Sequence, residues 1–200
     1  MSDIIPIPEL IAELSDPDAR VRNEAARRLY IAGVAMCEPA LAEWRKDNEF
    51  NDLLVRACHE FSPVRMVVGI AVKPESFDAI RALNGSPRLA DVPSDQDARE
   101  FELHAAGGPE LDILTTREAN PTGAIAKYLE KFGEGIQQVE IFVLAIDRAM
   151  AILHSRFGVI SIYPKAIPGA NGSSVNFFLV PCPGGKRVLV ELVQDAAEQA

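Results

Sequence analysis

The stretch VEIFVLAIDRAMAILHSRF, residues 139–157, repeats the element order of VRMVVGIAVKPESFDAIRAL, residues 64–83. Each stretch begins with a short apolar run rich in β-branched residues, which is typical of a buried strand. Each then continues into a segment whose apolar residues recur at helical spacing. These residues are Phe77, Ile80 and Leu83 in one copy, and Ala149, Ile152 and Leu153 in the other. The repeated order predicts two copies of one structural unit.

Three short strands are predicted to follow the helix in each copy. In the first copy they span about 88–92, 99–105 and 110–115, and in the second about 159–163, 174–180 and 187–193. Turn-rich connectors such as PGANGSS separate them. The predicted fold class is therefore α+β, with two βαβββ units at about 64–116 and 137–195. Two such units with curved sheets are able to enclose a cavity between them.

The first 62 residues are predicted to form helices that precede the two units. Ser15-Asp16-Pro17 indicates a helix start, and Gly33 is expected to end that helix. Further helices are predicted at about 38–46 and 51–61. The string LSDPDARVRNEAARRLYIAG resembles a single HEAT-type repeat. Because a solenoid needs several stacked repeats, we predict a stabilising cap on a domain at 63–200, with a partner-binding or dimerising surface as the alternative.

Charge and cysteine content exclude several classes of protein. The 200 residues carry 29 acidic and 20 basic side chains, a formal net charge of −9. Nucleic acids and anionic membranes are recognised by basic patches, so neither is predicted as a partner. Cys37, Cys58 and Cys182 are too far apart for a zinc motif or a disulfide framework. The apolar runs are too short to span a membrane and no secretory leader is visible, so a cytoplasmic protein is expected.

Three strings resemble one enzyme family, the methylmalonyl-CoA epimerases. VVGIAV (67–72) is similar to their opening strand, and TGAIAKYLEKFGEGIQQVEIFV (122–143) to the segment between their two units. PGANGSSVNFFLVPCPGGKRVLVELVQ (168–194) is similar to their C-terminal hairpin. These enzymes belong to the vicinal oxygen chelate superfamily, with the glyoxalases, extradiol dioxygenases and bleomycin-resistance proteins. The resemblance implies a vicinal oxygen chelate domain over 63–200 and, since the family commonly dimerises, a homodimer.

The resemblance also implies four metal-ligand positions and one acid–base group. The ligand positions fall on Val67, Asp112, Gln138 and Glu191, and the acid–base group falls on Asp95. Valine has no donor atom, so the implied site is degenerate. The three remaining oxygen donors suit Mg²⁺ or Mn²⁺, whereas Co²⁺ and Ni²⁺ favour imidazole over a neutral amide. The implied cofactor is one of these divalent metals, or none; with a metal, Glu191 would act as both ligand and base.

Several functions remain open from the sequence. One is an enzyme, an epimerase-like isomerase or lyase that moves a proton with the help of a metal on a small acyl-CoA or 2-oxo substrate. Another is a non-catalytic protein that binds a small molecule in the cavity, as bleomycin-resistance proteins do; a third is a scaffold whose helical segment docks a partner. Without a metal, Glu191 is expected to pair with a buried polar group such as Gln138. Glu134, between two glycines, is expected to serve a turn and not catalysis.

Overall fold

The computed structural model describes residues 6–118, 122–182, 185 and 187–196. Its helices are α1 (Ile7–Glu13), α2 (Ala19–Trp44), α3 (Asn48–Leu53), α4 (Pro74–Leu83), α5 (Ala124–Phe132) and α6 (Ile146–Phe157). Its strands are β1 (Met66–Ala71), β2 (Arg99–His104), β3 (Glu110–Thr115), β4 (Gly135–Phe142), β5 (Ile167–Pro168), β6 (Ser174–Pro181) and β7 (Arg187–Gln194). Within these residues, no helix combines the length and the apolar character needed to cross a membrane. The class is α+β with an N-terminal helical region, as the sequence predicts.

Packing divides the chain into two compact units, and each unit is built from two chain segments. The first unit contains Met1–Ala32 and Val68–Gln137, and the second contains Gly33–Val67 and Gln138–Ala200. Each unit therefore combines part of the helical region with one strand–helix repeat. The division into a helical segment at 1–62 and a domain at 63–200 follows element order along the chain and stays a prediction.

The sheet of the first unit has the strand order β2-β3-β1. Strand β2 is antiparallel to β3, and β1 is parallel to β3. The alternation in REFELH buries Phe101 and Leu103 on one face of β2. There the Phe101 ring meets Phe77 of α4 edge-on, with ring centroids 4.9 Å apart. Helix α4 begins with Pro74 in its first turn, where a proline loses no hydrogen bond, and it confirms the helix predicted for this copy.

The strand predicted at 88–92 is wrong. The run is flanked by Pro87 and Pro93, which lack the backbone N–H that a strand donates. The Ala90 N–H donates to the Glu100 carbonyl at 3.0 Å, which ties the run to β2 without forming a regular strand. The first unit therefore has a βαββ order.

The sheet of the second unit has the order β4-β7-β6-β5. Strand β4 is parallel to β7, whereas β6 is antiparallel to both β7 and β5. Strands β6 and β7 confirm the predictions near 174–180 and 187–193. Helix α6 packs on both of them and ends at Gly158, whose φ of 66° is the left-handed geometry of a glycine cap.

The strand predicted at 159–163 is also wrong. Ile162 N–H donates to the Phe177 carbonyl at 2.7 Å, as a strand residue would. The next residue, Tyr163, is held by a side chain instead: Asn176 accepts from its N–H at 3.3 Å and donates to its carbonyl at 3.0 Å. Because the Asn176 amide replaces a backbone partner, the segment lies along the edge of β6 as a loop.

Helix α2 is longer than the sequence predicts. Gly33 does not end it, and the separate helix expected near 38–46 is its continuation. The buried side chains Cys37, Leu41 and Trp44 extend the apolar face of its first half at helical spacing. Pro39 lies inside the helix, so the tertiary packing of this face outweighs the hydrogen bond that proline removes.

Helix α3 is shorter than the helix predicted at 51–61. It begins after Asp47, whose carboxylate accepts from Phe50 N–H at 3.0 Å. It ends at Leu53, because Leu54 is extended and pairs with Val143 in an isolated antiparallel bridge. The similarity of the region to a HEAT-type repeat stays a prediction.

Candidate functional site

A buried amide–carboxylate pair joins strands β4 and β7 of the second unit. Gln138 on β4 donates from Nε2 to Oε2 of Glu191 on β7 at 2.6 Å. Both side chains are buried, with 7% and 8% of their surface exposed. The structure thus contains the hydrogen bond between Glu191 and Gln138 that the sequence analysis names.

Glu140, which was not among the residues predicted for the site, lies on the same face of the sheet. It follows Gln138 by two positions on β4 and is directly opposite Glu191 in the parallel register. Gln138 Nε2 is 3.3 Å from Glu140 Oε1, so one amide nitrogen faces two carboxylates. The alternation in GIQQVEIF indicates that Gln138 and Glu140 share a face of the strand. The residue opposite Glu140 depends on the strand register, which the sequence does not reveal.

Val67 belongs to an apolar cluster of the second unit. Its buried side chain packs with those of Phe142, Val175 and Val193. Phe177 is packed against this cluster. The position at which the resemblance implies a metal ligand is therefore occupied by hydrocarbon packing.

Asp112 lies on β3 of the first unit. It is buried, and in the sheet it is opposite Glu102 of β2 on one side and Gly69 of β1 on the other. Glu102 approaches His104 Nε2 at 3.2 Å, and Glu110 approaches His104 Nδ1 at 3.7 Å. The structure thus places Asp112 in a row of acidic side chains within its own sheet.

Glu100 continues this row on β2, since residues two apart on a strand share a face. Its burial, and next the negative charge of Glu102, raise the pKa of the Glu100 carboxyl to about 7. The alternation in REFELH predicts a charged face for β2, but the proximity of these carboxylates to Asp112 requires the pairing of β2 with β3.

Asp95 is exposed in a turn of the first unit. Its neighbour Asp97 has a defined structural contact: Oδ1 accepts from the backbone N–H of Arg117 at 2.9 Å and of Glu118 at 3.0 Å. The structure therefore assigns the fixed carboxylate of this loop to Asp97, while the role implied for Asp95 stays a prediction.

Glu134 lies in the short connection between α5 and β4, where the sequence predicts a turn. Its Oε1 accepts from the Lys73 backbone N–H at 2.8 Å, immediately before helix α4. A cleft of about 670 Å³ lies in the first unit and is lined in part by Pro74, Thr116 and Lys127. The described residues that line this cleft include none of the predicted site residues.

The donor set of the second unit does not fit the implied metal. A glutamine ligand binds a metal through its oxygen, but the Gln138 nitrogen faces Glu191, since an amide oxygen there would repel the carboxylate. Val67 contributes no donor and is surrounded by apolar side chains. Among the described residues, no group of three or more His, Cys, Asp or Glu side chains has a geometry suited to a metal ion.

Comparison with known proteins identifies the fold family. No family model matches the chain, and no curated protein matches it. A methylmalonyl-CoA epimerase from Mycobacterium tuberculosis is similar in structure, with 32% sequence identity and a TM-score of 0.52; the alignment covers 65% of this chain and 86% of that chain. A hypothetical protein from Bacillus halodurans C-125 is 26% identical with a TM-score of 0.52, over 64% of this chain and 91% of that one.

A third similar structure is a Streptomyces coelicolor methylmalonyl-CoA epimerase variant in complex with 2-nitronate-propionyl-CoA. Its identity is 25% and its TM-score 0.54, over 72% of this chain and 96% of that chain. The similarity of these structures to a chain with repeated strand–helix units and mixed strand pairing confirms a glyoxalase-like fold. The chain belongs to the vicinal oxygen chelate superfamily, which includes the methylmalonyl-CoA epimerases.

Proposed function

We propose that this chain is a small-molecule-binding protein of the bleomycin-resistance type that has lost the metal site of its superfamily. The observation that carries the proposal is the 2.6 Å hydrogen bond from Gln138 to Glu191. A metal ion held by both residues would require two oxygens directed at one point. The amide instead directs its hydrogen at the carboxylate, so the two residues satisfy each other.

The apolar surroundings of Val67 support the same proposal. A ligand position that had merely lost its donor atom would keep polar surroundings. Here the side chain packs with Phe142, Val175 and Val193, so its surroundings are apolar. In the first unit, Asp112 has acidic neighbours of its own.

The second candidate is a metal-assisted isomerase or lyase acting on a small acyl-CoA or 2-oxo substrate. The similarity to the Mycobacterium tuberculosis epimerase favours it, because that comparison covers 86% of the epimerase chain at 32% identity. Asp112, Gln138 and Glu191 would then be ligands, with Mg²⁺, Mn²⁺, Co²⁺ or Ni²⁺ as the ion. Glu191 would also act as base and Asp95 as the second acid. Superfamily membership does not decide between the candidates, because one fold supports many functions.

Metal content separates the two candidates. The untagged protein, purified without chelator, is measured by inductively coupled plasma mass spectrometry before and after incubation with Mn²⁺, Co²⁺ or Ni²⁺. We expect well below one equivalent of metal, and the same value in Glu191→Ala and in the matched surface variant Glu24→Ala. About one equivalent that is lost in Glu191→Ala and kept in Glu24→Ala would overturn the proposal in favour of the isomerase or lyase.

A further inference from the structure

An exposed apolar edge borders β6 in the second unit. Ile162 N–H donates to the Phe177 carbonyl, and the Asn176 side chain bonds to the Tyr163 backbone, so this segment of the chain runs antiparallel to β6. The Tyr163 ring also meets the Phe177 ring edge-on, with centroids 6.2 Å apart. We call the exposed apolar side chains along this border the neutral edge: Ile160, Ile162, Tyr163 and Leu179, which are 79%, 55%, 39% and 50% exposed.

The side chains of the neutral edge form a group and are not scattered singly. Ile160 is two residues before Ile162, and Leu179 is two residues after Phe177, so the antiparallel alignment brings Ile160 toward Leu179. The described residues include eight exposed large apolar side chains, and four of these belong to the neutral edge. Single exposed apolar side chains are ordinary, whereas a contiguous group of them marks a contact surface.

Charged residues are almost absent from this part of the chain. Residues 157–185 include one charged side chain, Lys165, although 24% of the whole chain is charged. Natural sheet edges are commonly protected against association by charged side chains, so this edge has little of that protection. Depletion of charge is also characteristic of the core of a contact between proteins. The composition of the segment therefore favours a protein–protein contact at the neutral edge.

The backbone at the neutral edge is open to pairing and is held in place. Among the described residues, the backbone N–H and carbonyl groups of Ile160 and Ser161 make no hydrogen bonds. The Ser161 hydroxyl donates to the Tyr163 carbonyl at 2.7 Å, and the Asn176 side chain fixes the Tyr163 backbone. Exposed backbone donors and acceptors at a sheet edge are able to pair with an added strand. Because the segment is already ordered, such pairing loses little conformational entropy.

The charge of the chain favours a second copy of the chain as the partner. A net charge of −9 makes two copies repel each other over most of their surfaces. That repulsion is weakest where charged side chains are absent, as they are at the neutral edge. The same lack of charge gives the edge nothing with which to select a basic or an acidic partner. A two-fold axis places the same patch on both sides of a contact and allows the two exposed segments to run antiparallel.

We propose that the neutral edge is the contact surface of a two-fold homodimer. Ile160 and Ile162 of one copy pack on the neutral edge of the second copy, and the backbone groups of Ile160 and Ser161 pair across the axis. This inference goes beyond the proposed function, since the contact depends neither on a bound small molecule nor on metal content.

Sedimentation equilibrium of the full chain tests the proposal. We expect a reversible equilibrium between monomer and dimer. Because the two copies carry the same negative charge and meet through apolar side chains, raising NaCl from about 0.05 to about 0.5 M should lower the dissociation constant at least about three-fold. A dissociation constant that is unchanged or rises with salt would overturn the proposal, as would a chain that stays monomeric at about 200 µM, with or without a different protein bound at this edge.

Two variants that add the same charge locate the contact. Ile160→Glu places a carboxylate at the two-fold contact and should raise the dissociation constant of the dimer at least about ten-fold. Leu83→Glu, on α4 of the first unit, replaces a side chain that is 42% exposed and should change the dissociation constant by less than about two-fold. Tryptophan fluorescence checks that each variant is folded, and Ile162→Glu replaces Ile160→Glu if the latter does not fold. Equal effects of the two charges, or no effect of a folded neutral-edge variant, would refute the location of the contact.

Discussion

Replacement of Gln138 by leucine tests whether the buried pair stabilises the second unit. The substitution removes a 2.6 Å hydrogen bond to a buried carboxylate and leaves Glu191 without that donor. Hydrogen bonds to charged groups contribute about 1.5–3 kcal/mol, and an unsatisfied buried group costs a comparable amount. We therefore expect the free energy of unfolding to fall by about 2–3 kcal/mol, which for a chain of this size lowers Tm by roughly 4–12 °C.

The assay is urea unfolding followed by tryptophan fluorescence. The chain has one tryptophan, Trp44, which is buried and lies edge-on to Phe50 and Phe178, with centroid distances of 6.0 and 5.6 Å. All three rings belong to the second unit, so the signal reports on the unit that contains the pair.

Gln137→Leu is the matched control. Gln137 is the preceding residue on β4, and within the described residues its Oε1 is buried without a hydrogen-bond partner. Its replacement should be neutral or stabilising by up to about 1 kcal/mol. The single variant Glu191→Leu and the double variant Gln138→Leu/Glu191→Leu complete a cycle whose coupling energy should be at least about 1.5 kcal/mol. Coupling below about 0.5 kcal/mol, or equal losses in the two glutamine variants, would refute the reasoning.

Three further substitutions test other parts of the structure. Val67→His places a polar ring in the apolar cluster and should lower the free energy of unfolding in urea by about 1–3 kcal/mol. A metal titration of this variant should show no tight binding. Micromolar affinity for a metal would show that the ligand positions still converge. Glu100→Gln should raise Tm, measured by calorimetry, at pH 8 but not at pH 5. Burial and Glu102 raise the pKa of the Glu100 carboxyl in the folded state to about 7, so the free energy of unfolding falls as the pH rises from about 4.5 to 7 and this carboxyl ionises. An increase in Tm that does not depend on pH would contradict this prediction. Asp97→Ala removes an acceptor from two backbone N–H groups and should lower the free energy of unfolding by about 1–2 kcal/mol. Asp95→Ala in the same loop should lower it by less than about 0.5 kcal/mol, and equal losses in the two variants would contradict the assignment of the fixed carboxylate to Asp97.

The fold is predictable from the sequence where local pattern and tertiary packing agree. Helix α4 combines a proline in its first turn with regular apolar spacing, and the structure has a helix at this position. The strands near 88–92 and 159–163 fail for different physical reasons. Prolines remove backbone donors in the first, and in the second the Asn176 side chain replaces a backbone partner of Tyr163. A contact between a side chain and the backbone of a distant residue leaves no periodic pattern in the sequence from which it could be predicted.

The candidate site is predictable in part for the same reason. A carboxylate in the apolar alternation of LVELV indicates that Glu191 needs a partner, and the resemblance to the family suggests Gln138. Glu140 and Glu100 become notable when strand register is known, because register decides which side chains on neighbouring strands are opposite one another. The direction of the Gln138 amide, on which the argument about metal depends, likewise follows from the paired strands.

The interleaving of the two units has a consequence for folding during synthesis. The ribosome releases the chain from its N-terminus, so every residue of the first unit has been made once Gln137 is added. Trp44 packs on Phe178, so the second half of α2 lacks its final contacts until β6 and β7 have been made. At typical translation speeds of about 5–20 residues per second, the time between the synthesis of Gln137 and of these strands is seconds. During that interval Leu41 and Trp44 lack their final neighbours, so nascent chains that stall after Gln137 should expose an apolar helix face and recruit chaperones.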